Sequence, residues 1–490
     1  MNGMWQFLVS VVGLLLLLQY LKQLWSSRKF PPGPFPLPFI GGMWRMWFRF
    51  SRDVLIQMAK QYGNIYTIWF GHQPVVVLSG FQIVKEGMVA TSEAFCDRPK
   101  IALADAILGN SCNGHPWKEH RKFGLITMRK MGIGKKSMES QINEEVQQLL
   151  ETFQQTNGKP LDPLPPISMA MSNVICSVTL GHRFPTQDKI FQRNMDAMNY
   201  IGKYGMSLFL YEMFPSLMNR LPGPHKTACV HINWVLSFLR TEVERHKKNP
   251  MQDEPQDIID YYLFQMERRK RDPISTFSDN NLTVCIMDFF VAGTETTAMT
   301  LLWALLFMVC YPDVQEKVYK EIEEVLGSCP LICYEDQKNL PYTAAVIHEI
   351  IRVRYILIFG LPRQSAKDVV FRGFHIPKGT IVIADLQSVL LDPNQWETPH
   401  EFNPNHFLDK DGNFMAREEF LPFGAGKWSR VCLGEALAKM ELFLFFTHLL
   451  RAFQFKLPDG AKKPSIEPRF GFVLRPHPYK ICAIPRNNSS

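Results

Sequence analysis

The stretch Phe423-Gly-Ala-Gly426-Lys-Trp-Ser-Arg430-Val-Cys432-Leu-Gly434-Glu435 decides how this chain is read. A glycine-rich, basic loop brings one cysteine to the start of the apolar run 436–450. A thiolate placed there is favoured by the free N–H groups and dipole of the helix that follows. Arg430, two residues earlier, favours an anion as well. With no second Cys or His beside it, the sulfur cannot build a tetrahedral zinc site. A lone thiolate can instead be the axial ligand of a haem iron, donating electron density that promotes O–O cleavage.

The 490 residues around this loop suffice for one large domain or for two to three ordinary ones. A hydrophobic content of 46% with 23 Met suits a large, adaptable apolar interior. The formal charge of +8 fits an anionic membrane surface or an acidic partner. No helix-turn-helix, zinc-finger or RNA-binding pattern accompanies it, which argues against nucleic acid. The ten cysteines are scattered without a disulfide framework, as in a reduced, cytosol-facing domain.

Residues 4–21 are almost wholly apolar, with Gln6, Ser10 and Gln19 the only clearly polar members. The run is just long enough to span a bilayer. Lys22, Arg28 and Lys29 follow it and no Lys or Arg precedes it, which puts the C-terminal side in the cytosol. A cleaved signal peptide would need a basic start and a small-residue cleavage site, and neither is clear. The expected division is an uncleaved membrane anchor over 1–21, a basic and proline-rich hinge over 22–40, and a catalytic domain over 41–490. The hinge contains Phe30-Pro-Pro-Gly-Pro34-Phe-Pro36-Leu-Pro38, a stiff, extended spacer.

Helical periodicity predicts helices over 142–155, 168–180, 232–248, 281–310, 312–325 and 341–353. Alternation predicts strands over 65–69, 74–78, 369–371 and 380–384. Helices far outweigh strands, so the fold class is mostly α with a small β region.

Inside the long apolar helix lies Ile286-Met-Asp-Phe-Phe-Val-Ala292-Gly293-Thr-Glu295-Thr296-Thr297. Gly293 weakens the helix and permits a local distortion. A Thr hydroxyl bonds back to a preceding carbonyl or holds a water or O2, and a carboxylate beside it can pass protons. A buried helix that merely contains Thr explains the stretch equally well. Glu349 and Arg352 stand at i, i+3 among apolar neighbours, on one helix face. Trp117 and Arg121, at i, i+4, also share a face, and indole N–H and guanidinium suit propionate groups.

The cysteine loop resembles that of cytochrome P450 enzymes. The anchor, the Pro-Pro-Gly-Pro hinge, Trp-x-x-x-Arg, Ala-Gly-x-Glu-Thr-Thr, Glu-x-x-Arg and the cysteine occur in that family's order across essentially the whole chain. Residues 128–137 and 172–184 look specifically like the vertebrate microsomal family 2 monooxygenases. The resemblance implies the cytochrome P450 fold, with haem between a long central helix and the cysteine loop, plus an N-terminal transmembrane helix. It implies haem b on Cys432, with Arg98, Trp117, Arg121, Arg363 and Arg430 as propionate contacts. Glu295 and Thr296 would deliver protons and hold the bound O2. Glu349, Arg352 and His406 would lock the core. Ile107, Leu108, Phe209, Asp288, Phe289, Ala292, Leu357, Phe359 and Phe472 match the family's substrate-recognition segments. The implied activity is oxidation of lipophilic small molecules (xenobiotics, fatty acids or steroids) with O2 and electrons from NADPH. The implied partners are NADPH–cytochrome P450 reductase and cytochrome b5, at the endoplasmic reticulum membrane with the catalytic domain facing the cytosol. Lys118, Lys122, Lys130, Lys135, Lys136, Lys427 and Lys439 are candidates for a basic docking face.

Two departures stand out. The family loop reads Phe-x-x-Gly-x-Arg-x-Cys-x-Gly, and here Phe423 and Gly426 lie two residues too far upstream of Cys432. A two-residue insertion, most simply Trp428-Ser429, accounts for this. Ile358 stands where the family usually carries proline. The insertion keeps open a catalytically impaired haem-binding pseudoenzyme or splice isoform. A haem-thiolate isomerase or dehydratase is a third reading, disfavoured by the intact Glu295-Thr296 pair.

Overall fold

The computed structural model describes residues 2–45, 52–100, 113–133, 136–204, 207–208, 211, 214–249, 254–327, 331–358, 360–426, 430–469, 471 and 473–486. The chain gathers into two compact units. The first comprises 1–99, 358–395 and 421–431; the second comprises 100–357, 396–420 and 432–490.

In the first unit, helices α1 (Asn2–Ser27) and α2 (Arg52–Tyr62) precede strands β1 (Ile65–Phe70) and β2 (Gln73–Ser79). Later come β3 (Arg363–Gln364), β4 (Val369–Phe371), β5 (Phe374–Ile376) and β6 (Ile381–Asp385). The β-branched runs expected as strands do pair. The sheet order is β1-β2-β6-β3, with β2 and β6 parallel and Val75 opposite Ile381. β4 and β5 form a separate hairpin.

Helix α1 runs beyond the apolar segment that announced it, and most of its described apolar side chains, among them Trp5, Phe7, Leu17 and Leu21, are exposed. Its foot is tied to the β1–β2 turn by Gln23, whose Nε2 donates to the Gly71 carbonyl at 2.8 Å. The proline-rich stretch lies along the edge of β1. Thr67 N–H donates to the Pro32 carbonyl at 2.9 Å, and a Cβ on Gly33 would fall on the Thr67 carbonyl.

The second unit is helical. It contains α3 (Gly114–Lys130), α4 (Lys136–Gln154), α5 (Leu164–Leu180), α6 (Lys189–Tyr204), α7 (Pro224–Lys248) and α8 (Ile258–Arg268). It continues with α9 (Asp279–Cys310), α10 (Pro312–Leu326), α11 (Pro341–Val353) and α12 (Glu435–Ala452), and ends in a hairpin of β7 (Phe453–Lys456) with β8 (Cys482–Pro485). Proline at the first turn starts α7, α10 and α11, where its missing N–H has no partner to lose.

Helix α9 is the axle of this unit and packs against α5, α7, α11 and α12. Ser278 caps it by accepting from Asn281 N–H. It is apolar all round, as a helix enclosed by others must be. Among the described residues it is the one helix long and apolar enough to cross a membrane, but 72% of its most apolar window is buried inside the protein, which makes it a core helix. Helix α9 is assigned without a break through Gly293. The missing side chain of Gly293 admits Ile175 of α5, whose Cδ1 a Cβ would strike.

Candidate functional site

Three elements of the second unit meet around Arg352 of α11. Its Nε and Nη2 donate to the two carboxylate oxygens of Glu349 at 2.6 and 2.7 Å. Its Nη1 donates to the Pro399 carbonyl at 2.8 Å, and Nη2 donates also to the Glu401 carbonyl at 2.9 Å. Glu349 also accepts from Asn403 N–H at 2.9 Å and lies 3.1 Å from His406 Nδ1. Both carboxylate oxygens and all three guanidinium nitrogens thereby have partners within the cluster, the condition under which a buried ion pair is tolerated. The three residues singled out from sequence are brought together, and the cluster fixes 399–406 to α11.

Around Cys432 the geometry is set by α12. The sulfur stands just before the helix and accepts from the backbone N–H groups of Gly434 and Glu435, which favours the thiolate. The residue keeps accessible surface, yet protein surrounds it closely enough that desolvation outweighs those bonds and holds the thiol above its ordinary pKa. Arg121 of α3 is the cation near it. Burial pushes that guanidinium down and the charge of Cys432 pushes it up.

On α3, Trp117 lies one turn before Arg121 on the same face. The other side of the helix is anchored. Glu119 bonds the Thr276 backbone at 2.9 Å and pairs with Arg269, while His120 reaches the Tyr262 hydroxyl at 2.8 Å. Gly124 lets α3 approach closely: a Cβ there would lie 3.1 Å from Leu433 and 3.5 Å from Phe289. Thus α3, α9 and the start of α12 converge beside the sulfur.

Although α9 is buried overall, one stripe of it is open. Asp288 and Ala292 are exposed, and Cys285, Phe289 and Thr296 are half-buried. These residues recur at three- and four-residue spacing, which is one face of a helix. Burial alone pushes the Asp288 carboxyl up to about 6 although the residue is accessible. Leu357 is half-buried.

Glu295 and Thr296 are adjacent but bonded elsewhere. Thr296 Oγ1 donates to the Ala292 carbonyl at 2.6 Å. Glu295 accepts from Arg475 Nη2, and Arg475 also donates to Asn199 Oδ1 at 2.5 Å. Burial pushes the Glu295 carboxyl up, and Arg475 offsets only part of that rise. Sequence reasoning missed Arg475, although an arginine after the apolar run Phe472-Val-Leu474 was a signal. It also missed Glu441 of α12, a carboxyl that burial pushes up to about 8 and that bonds Thr297.

In the first unit three arginines gather near residues 95–98. Arg98 Nη1 donates to the Leu361 and Pro362 carbonyls at 2.7 and 2.5 Å. Arg363 donates to the Ala425 carbonyl at 2.8 Å, and Arg430 to the Cys96 carbonyl at 2.7 Å. Burial and the neighbouring Arg430 lower Arg363 to about 10. Gly426, at φ 129, has no room for a side chain, since a Cβ would lie 2.7 Å from the Met88 carbonyl. Ile358, in the usual place of proline, is buried. Ile107, Leu108, Phe209, Phe359 and Phe472 lie outside the described residues, as do Lys135, Lys427, Trp428 and Ser429. Lys118, Lys122, Lys130 and Lys136 are exposed, and Lys439 pairs with Glu435 at 2.7 Å.

The family model for Cytochrome P450 matches residues 31–483. The chain belongs to the cytochrome P450 family. This P450 is 40% identical over 488 residues to Cytochrome P450 2J5 of Mus musculus, covering 98% of this chain and 95% of the relative. It is 38% identical over 486 residues to Cytochrome P450 2J2 of Homo sapiens, covering 98% and 96%. It is 39% identical over 470 residues to Cytochrome P450 2B4 of Oryctolagus cuniculus, covering 94% and 95%. The likeness to vertebrate family 2 thus extends along nearly the whole chain. Membership makes this P450 a monooxygenase-family oxidoreductase with a haem cofactor, a redox partner, O2 and a substrate. The donor set around Cys432 fits a haem iron: one thiolate supported by two N–H groups, an adjacent guanidinium, and accessible surface left on the sulfur-bearing residue.

Proposed function

We propose that this P450 is a membrane-anchored haem-thiolate monooxygenase. It oxidises lipophilic small molecules, whether xenobiotics, fatty acids or steroids, with O2 and electrons from NADPH through a diflavin reductase. The observation that carries the reading is the sulfur of Cys432, supported by the N–H groups of Gly434 and Glu435 and accompanied by Arg121. Haem b, when held by that sulfur, supplies the activation of O2.

The chain's own residues do the rest. Trp117 and Arg121, with Arg98, Arg363 and Arg430, hold the propionate groups by charge-assisted hydrogen bonds. Glu349, Arg352 and His406 keep the supporting core rigid. Asp288, Phe289, Ala292 and Leu357 orient an apolar substrate and exclude water, together with Ile107, Leu108, Phe209, Phe359 and Phe472. Glu295 and Thr296 move protons toward the reacting oxygen. The exposed apolar side chains of α1 support an anchor over 1–21 followed by a hinge over 22–40 and a catalytic domain over 41–490. The basic residues after the apolar run support a cytosolic domain at the endoplasmic reticulum. Exposed Lys118, Lys122, Lys130 and Lys136 support docking of an acidic reductase or cytochrome b5.

The test is the carbon-monoxide difference spectrum of the dithionite-reduced protein and of Cys432→Ser. A strongly red-shifted Soret band is expected for the parent and not for the variant. A band at shorter wavelength in the parent, or no haem, overturns the reading and favours an impaired isoform.

A further inference from the structure

The two residues that the monooxygenase reading assigns to proton delivery are not bonded to each other. The Glu295 carboxylate is taken by Arg475, and the Thr296 hydroxyl by the Ala292 carbonyl. Among the described residues Glu295 has no second hydrogen-bond partner. A carboxylate paired with a guanidinium is held in place, and the pairing favours its ionised form. It must be let go before it can pick up a proton and pass it on.

The surroundings show how release can be governed. Arg475 is gripped on two sides, by Glu295 of α9 and by Asn199 of α6 through the side chain at 2.5 Å and the carbonyl at 3.4 Å. Gly202 stands one turn after Asn199 on α6. A Cβ there would fall on Arg475 Nη2 and lie 2.9 Å from Glu295 Oε1, so only glycine leaves the guanidinium its place. Glycine inside a helix costs about 1 kcal/mol relative to alanine, so this gap is a built feature. The backbone beside Arg475 is pinned: Leu474 N–H donates to the Ile356 carbonyl at 2.7 Å, and Trp303 Nε1 of α9 donates to the Leu474 carbonyl at 3.1 Å. The other side of the guanidinium's cradle is α6. Arg475 Nε donates to no described residue although it is buried, which lowers the cost of an arrangement in which the guanidinium turns away.

We propose that Arg475 is a positioning residue that holds the Glu295 carboxylate aside and releases it according to where α6 carries Asn199. Proton delivery is then coupled to the position of α6. The proposal rests on the monooxygenase reading, whose overall step is RH + O2 + two electrons + two protons giving ROH + H2O. If protons reach O2 before substrate is in place, the same two electrons and two protons give H2O2 instead. Withholding Glu295 until α6 moves suppresses that loss.

The experiment uses the full chain with haem bound and compares Arg475→Leu, Arg475→Lys, Asn199→Ala, Glu295→Gln and the Arg475→Leu/Glu295→Gln double variant. Without Arg475, burial of Glu295 is no longer offset. The infrared difference spectrum of Arg475→Leu against the parent is expected to gain a protonated carboxyl C=O band that is missing from the double variant. Substrate-free peroxide release with reductase and NADPH is expected to rise several-fold in Arg475→Leu. It should rise less in Asn199→Ala and Arg475→Lys, and return to the parent level in the double variant. No new carboxyl band, or a peroxide leak that persists without Glu295, overturns the proposal. Should Arg475→Leu fail to fold, Asn199→Ala decides: an unchanged leak overturns it. The infrared band needs no electron donor and no substrate, so it reports on Arg475 even if the carbon-monoxide spectrum refutes the monooxygenase reading.

Discussion

Arg352 and Glu349 join through two parallel hydrogen bonds, and neither side chain retains any accessible surface. At a protein surface such a pair is worth about 0–1 kcal/mol. Here each partner would be left as an uncompensated buried charge if the other were removed.

Glu349→Gln and Arg352→Leu are therefore expected to destabilise the fold by about 3–5 kcal/mol. Arg352→Lys should also fail, because one ammonium cannot replace a fork that reaches Glu349, Pro399 and Glu401 together. Thermal unfolding checks this. A melting temperature within a degree or so of the parent would show that the cluster is dispensable.

Gly293→Ala inserts a methyl group where Ile175 already sits. The expected cost is about 1–3 kcal/mol, as for overpacking elsewhere. Ile175→Ala alone also destabilises, by leaving a cavity. The double variant should be more stable than the sum of the two losses predicts, because each change relieves the other. Additive melting shifts would show that the two helices do not meet there.

His246 clasps α7 to the N-cap of α8, with Nε2 2.9 Å from Asp257 and Nδ1 2.9 Å from the Glu242 carbonyl. Burial alone would lower its pKa. The Asp257 hydrogen bond, the Glu242 carbonyl and the charges of Asp257 and Asp260 outweigh burial and hold it raised. A raised folded pKa means that the stabilisation is complete below the unfolded value, near 6.5, and is lost as pH rises through the folded value. The stability gap between the parent and His246→Gln should thus be widest in mild acid and shrink at alkaline pH. Chemical unfolding at a series of pH values measures it, and a gap that does not change with pH would contradict the assignment.

Gly426→Ala asks a β-carbon to enter a left-handed conformation 2.7 Å from the Met88 carbonyl. Strain of about 1–3 kcal/mol should fall on the loop. The thiolate-type carbon-monoxide band should then decline in yield per folded protein and not in wavelength. A band of unchanged yield would show that the loop yields freely.

The legible parts of the molecule were those whose signal is local. Helix α11 was read over 341–353 because Pro341 starts it and its apolar period is unbroken. The place of Cys432 just before α12 was legible because the apolar run 436–450 follows it closely. Helix α4 begins at Lys136, before the expected 142, because its first turn is polar and carries no periodicity. The packing role of Gly293 was not legible because a sequence shows a missing side chain but not the isoleucine that fills the space. Arg475 was missed for the same reason: its partner Glu295 lies 180 positions away.

The chain leaves the first unit at Val431 and enters the second at Cys432. The sulfur is moored from downstream, by the N–H groups that open α12. Trp428 and Ser429 precede it in the sequence. Register after Cys432 is not free. One residue inserted between Cys432 and Glu435 would part the sulfur from the N–H groups of Gly434 and Glu435 that now hold it.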